Sequence, residues 1–101
     1  MKLNDKIVID DDGYFDLYEV VDYNGDNDFS LQPIFLDENT NTFLKSDINK
    51  TIHCYLNKNN IVYKIDSKIW YVAYKGPLLF AGSEEETIEW LSKNKELAYD
   101  D

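Results

Sequence analysis

Apolar and polar positions alternate with a period of two along most of the chain, and the period lengthens only near its end. Alternation of this kind places one face of a β-strand inward and the other outward. Residues 6–10 predict a first strand, followed by an Asp10-Asp11-Asp12-Gly13 turn in which glycine supplies a positive φ. Residues 14–23 predict a second strand. Phe15, Leu17, Val21 and Tyr23 fall on one face of it, and Asp16, Tyr18 and Asp22 on the other. Asn24-Gly25 is a strong hairpin signal of the type I′ kind, with Asp26, Asn27 and Asp28 widening the loop. Residues 29–36 predict a third strand, and Pro33 inside it marks an edge or a bulge. A short strand over 42–45 follows a polar loop.

Residues 46–57 read two ways. Ile48, Ile52, Tyr55 and Leu56 have helical spacing with Ser46 or Asp47 as a cap, whereas 51–56 also alternates and 57–60 is turn-like. The reading taken is a helical turn at 47–50 and then a hairpin of 51–56 with 61–65. The longest apolar run is Ile69-Trp70-Tyr71-Val72-Ala73-Tyr74, and a second is Leu78-Leu79-Phe80-Ala81. With Lys75-Gly76-Pro77 between them, the two predict a β-hairpin. Ser83 and Glu86 then form a capping box, and Glu84, Glu85 and Glu86 complement the dipole of a helix whose apolar face holds Ile88, Trp90 and Leu91. The fold class expected is α+β, mostly antiparallel β: a bent sheet or small barrel, SH3-like in its first three strands, with one C-terminal helix on the hairpin.

The chain has 101 residues, which predicts a single domain over 1–101. Its apolar fraction of 44% and charged fraction of 30% are those of a soluble globular protein. No run approaches the length of a membrane span, and no signal-peptide core is present, so no membrane association and a cytoplasmic location are expected. Cys54, the single cysteine, makes no internal disulfide.

Charge changes the picture most. The net charge is −10, all ten basic residues are lysine, and asparagine is abundant, a usage that an AT-rich coding sequence gives and that points to a low-GC bacterium or its phage. Residues 1–42 carry a net −9, residues 43–82 a net +4 and residues 83–101 a net −5. Such a chain repels phosphates, so direct nucleic-acid binding is not expected; basic protein surfaces attract it.

Catalytic and metal chemistry are thinly represented. His53 and Cys54 are adjacent, so on a strand they point to opposite faces and make no nucleophilic dyad. Asp10, Asp12, Asp16 and Glu19 match four positions of a calcium loop aligned on Gly13, but Val8 falls at the first ligand position. No Gly-rich phosphate loop or nucleophile elbow occurs, and neither a cofactor nor an enzyme activity is expected. The residues expected to bind a partner are Asp10, Asp11, Asp12, Asp16, Tyr18, Asp22, Asp26 and Asp28, carboxylates with a tyrosine on one sheet face and in the turns at its ends.

In size, charge and aromatic content the chain resembles the small acidic inhibitors of phages and mobile elements, such as DNA-mimic and anti-CRISPR proteins. The resemblance implies a protein partner with a basic nucleic-acid-binding groove, such as a nuclease or defence effector. Immunity proteins against nuclease toxins, a calcium-binding module and a phage structural or assembly subunit are the alternatives.

Overall fold

A computed structural model describes residues 1–11, 14–25, 27–46, 51–64 and 72–95. Within them the elements run β1 (Lys6–Asp11), β2 (Tyr14–Gly25), β3 (Asp28–Asp37), β4 (Thr42–Lys45), β5 (Ile52–Asn57), β6 (Asn60–Lys64), β7 (Val72–Gly82) and α1 (Glu84–Lys93). All pairings are antiparallel. The sheet order is β2-β1-β7-β6-β5-β3-β4, and an added pairing of β2 with β3 closes six strands into a barrel with β4 attached to β3. The mostly antiparallel α+β class therefore holds. Closure takes β1, β2, β3, β5, β6 and β7, not the first three strands alone.

Ile7, Ile9, Tyr18, Val20, Phe29, Leu31, Cys54 and Ile61 form the core cluster. Each large apolar side chain taken fully out of water there contributes roughly 1.5–3 kcal/mol. Val8, between Ile7 and Ile9 on β1, is also fully buried, although its neighbours occupy the opposite face. The helix contacts both β1 and β7, so the outer side of these strands is a second, smaller packing layer. Phe80 of β7 stacks on Trp90 of α1 with ring centroids 5.7 Å apart. Thr87, fully buried, returns its hydroxyl to the Ser83 carbonyl at 2.7 Å. The capping box forms as expected: the Glu86 amide donates to Ser83 Oγ, and the Ser83 amide donates to Glu86 Oε1.

Three local expectations are corrected, and a fourth is met as far as the described residues reach. First, the described part of the expected hairpin is one strand, β7, and its Lys75-Gly76-Pro77 segment is a bend inside it. Asn60 pairs with Pro77 and Ile61 with Gly76, then the register shifts before Val62 pairs with Tyr74. A second shift, between Val8 and Ile9, lies where β7 runs along β1. These bulges turn one strand from β6 to β1, which is how a short barrel closes. Residues 65–71 lie outside the described residues.

Second, Asn24-Gly25 remains inside β2, where Gly25 pairs with Asp28 at φ 152°. Among the described residues the two-residue turn with positive φ at both positions is Lys58-Asn59, joining β5 to β6. Third, β3 is an edge only in part: it pairs with β5 and then β4 on one side and with β2 on the other, and beyond Pro33 its β2 side is unpaired among the described residues. Pro33 sits where β3 exchanges β5 for β4, and its carbonyl accepts from the Ser46 amide at 3.1 Å. A strand residue's N and C=O point to the same side, so the missing donor faces that changeover. Fourth, β5 and β6 form the hairpin expected after residue 51, whereas the helical turn expected at 47–50 lies outside the described residues.

Candidate partner-binding surface

The aspartates expected on one face of β2 and in the turns at its two ends lie on β2 and on the strands paired with its ends, β1 and β3. Asp10 pairs with Phe15 near one end, and Asp11 closes β1 opposite Tyr14. Asp28 pairs with Gly25 at the other end. The ten residues separating Phe15 from Gly25 make that distance about 33 Å along the strand. Asp12 and Asp26 lie outside the described residues.

Asp16, Tyr18 and Asp22 do not form a common solvent face. Tyr18 is 5% exposed and belongs to the core with Val20. Closure of the barrel turns this side of β2 inward, which no local pattern reveals. Between Val20 and Asp22 the register against β3 shifts, and the extra residue moves Asp22 off the inward face. Asp22 is exposed and stands opposite Ser30, which alternates with the inward Phe29 and Leu31.

The outward group around Asp22 continues across the sheet. Ser30 pairs with His53 on β5, and His53 Nε2 lies 2.7 Å from Asp28 Oδ1. Both side chains are about two-fifths exposed, 43% for His53 and 40% for Asp28. The structure thus pairs Asp28 with a histidine that the sequence left without a role, while Asp22 stands one strand away on β2, opposite Ser30. The adjacent Cys54 points the other way and is fully buried. Burial first, and the charge of Asp28 second, push its thiol up to about 12. His53 and Cys54 therefore serve different faces, as strand alternation requires.

The calcium alignment fails on geometry. Glu19 pairs with Lys6, and Lys6 Nζ holds its carboxylate at 2.8 Å. Lys6 is four residues along β1 from Asp10, about 13 Å, too far for both acids to reach one ion at 2.3–2.6 Å. Among the described residues no group of three or more candidate ligands occurs.

A concave feature lies where the sequence carries only the Pro33 signal. β2 and β3 pair from Gly25 and Asp28 back to Tyr18 and Pro33, and then part. Beyond that point Phe15, Asp16 and Leu17 pair with β1, while residues 34–37 pair with β4. Between the separated strands and α1 lies a cleft of about 780 Å³, walled by Phe15, Leu17, Phe35 and Leu36 and backed by Ile88 and Leu91. The Pro33 signal marked this spot in the sequence, but the separation itself depends on which partners β2 and β3 take.

No helix among the described residues is long and apolar enough to cross a membrane. No protein-family model, curated protein or solved structure matches the chain.

Proposed function

We propose that this protein is a small, acidic, non-enzymatic inhibitor that acts in the cytoplasm by occupying the basic nucleic-acid-binding groove of a nuclease or defence effector. The observation that carries the reading is the placement of Asp10 and Asp11 at one end of β2 and Asp28 at the other, about 33 Å apart along the strand, with Asp22 between them. A closed barrel holds such charges at fixed separation. An extended basic groove then meets two anionic sites at once, and opposite charge speeds the encounter. A net charge of −10 without arginine favours such a partner over nucleic acid itself.

The test begins with affinity capture from a low-GC bacterial lysate at low and high salt, followed by measurement of Kd for the purified partner. Affinity should fall at least tenfold between roughly 50 and 300 mM salt, since exposed charges are screened within about a Debye length. The pairs Asp10→Asn with Asp11→Asn, and Asp22→Asn alone, should each weaken binding. A captured nuclease indifferent to salt and to both sets of substitutions would overturn the reading.

A further inference from the structure

The geometry points to a second binding surface: we infer that the cleft where β2 and β3 part takes an extended segment of a partner protein, bearing basic and apolar residues, by strand addition. This does not depend on the acidic ends of β2 engaging a groove.

The directions of the backbone groups carry the inference. The Val20 amide donates to Asp5 and the Val20 carbonyl accepts from Asn4, so Val20 faces the β1 side. Alternation then sends the N–H and C=O groups of Phe15 and Leu17 to the opposite side, into the cleft. On β3 the Pro33 carbonyl faces Ser46 and β4. Alternation sends the N–H and C=O groups of Ile34 and Leu36 the other way, into the same cleft. Among the described residues no strand reaches either row.

Open strand edges are ordinarily blunted by lysine, proline or a covering element, because they recruit other chains. The edges Phe15-Asp16-Leu17 and Ile34-Phe35-Leu36 contain neither lysine nor proline. Ile88 and Leu91 of α1 supply an apolar backing. Phe35 lines the cleft and is 48% exposed, and its cross-strand partner Leu44 on β4 is 43% exposed. A cleft of about 780 Å³ lies inside the 300–1,000 Å³ range of ligand sites. This is the recognition mode in which main-chain bonds give affinity and alternate side chains give specificity.

The charge of the walls selects the occupant. Asp16 and Glu38 line the cleft, and the segment that builds β1, β2 and β3 lies in the portion of the chain with a net −9. Lys95 on the helix side is the one cation among the described lining residues. The segment that fits alternates apolar residues with lysine or arginine.

The probe is a displayed library of random twelve-residue peptides, panned on the immobilised full-length chain. Enriched sequences should alternate apolar and basic residues. A synthetic copy of the leading sequence should slow amide exchange at Phe15, Leu17, Ile34 and Leu36. Phe35→Asp and Leu44→Asp, at exposed positions, should each weaken its Kd at least tenfold, whereas Leu79→Asp on β7 should leave it within twofold. Methylation of alternate peptide nitrogens should abolish binding. Absence of enrichment, protection at other amides, indifference to both Phe35→Asp and Leu44→Asp, or indifference to N-methylation would each overturn the inference.

Discussion

Gly76 of β7 lies against the backbone of Asp10 so closely that a Cβ built on it would overlap the Asp10 carbonyl oxygen. Its φ of 130° is also one that L side chains rarely adopt. Both facts arise where β7 bends from β6 toward β1. Gly76→Ala is therefore expected to destabilise the protein by about 3 kcal/mol or more, combining backbone strain with displacement of β1. Urea denaturation measures this. A loss below about 1 kcal/mol would mean that the approach of β7 to Asp10 is wrong.

The thiol of Cys54 should be inert in the native protein. Thiolate is the reactive form, and the folded-state value is pushed up to about 12, from 9.0, by burial and then by Asp28. Labelling with a chromogenic disulfide at pH 8 should proceed only as fast as the chain opens. A raised folded value favours the protonated, folded state, so this contribution is complete below about pH 9 and is lost as pH rises toward 12. Wild type should lose stability relative to Cys54→Ala across that window. Rapid native labelling at pH 8 would contradict the buried placement.

The helix start provides a test with the opposite sign. The Ser83 amide first, and the Ser83 hydroxyl second, hold the Glu86 carboxyl below its ordinary value. A lowered folded value stabilises the folded state above the unfolded carboxylate value, and that stability is lost as pH falls through the folded one. Ser83→Ala should cost about 1 kcal/mol at neutral pH and move the Glu86 midpoint upward. Carboxyl-detected NMR titration of both proteins decides it; an unchanged midpoint would mean that the Ser83 hydroxyl plays no part in holding the Glu86 carboxyl low, leaving only the backbone amide.

The contrast between these sites explains what the sequence made legible. The capping box needs only Ser83 and Glu86, three residues apart, and it forms as expected. The fully buried Thr87 follows them but carries no apolar signal. The β2 face departs from simple alternation because Tyr18 owes its burial to pairing between β2 and β3, and Asp22 owes its exposure to a bulge in that same pairing. Lys75-Gly76-Pro77 resembles a turn because a strand bend and a turn both call for glycine, and only the partner strands distinguish them. Asp28 and His53 meet through the β3 and β5 ladder. A pair so distant in sequence leaves no local trace. The cleft has the same origin, since it is the gap left when β2 and β3 take separate partners.

Lys6 and Glu19 offer a test of how β1 is held on β2. Their side chains are 10% and 21% exposed, and Nζ lies 2.8 Å from Oε2. The same Nζ also donates to the Asn4 carbonyl at 2.9 Å. The pair is thus largely screened from water, and removing one partner leaves the other charge poorly solvated. Breaking a buried pair costs about 3–5 kcal/mol; with Glu19 partly wet, Glu19→Gln should cost about 2–3 kcal/mol. Replacing both, Lys6→Met with Glu19→Leu, should restore most of that loss, because neither change then strands a charge. A double-mutant cycle in urea, run at 0.05 and 0.5 M salt, reads the coupling directly. Coupling above about 1 kcal/mol that persists at high salt is the expected outcome, since screening acts weakly on a partly buried pair. A coupling near zero, or one that disappears with salt, would place Lys6 and Glu19 in water and detach the first strand from the barrel wall described here.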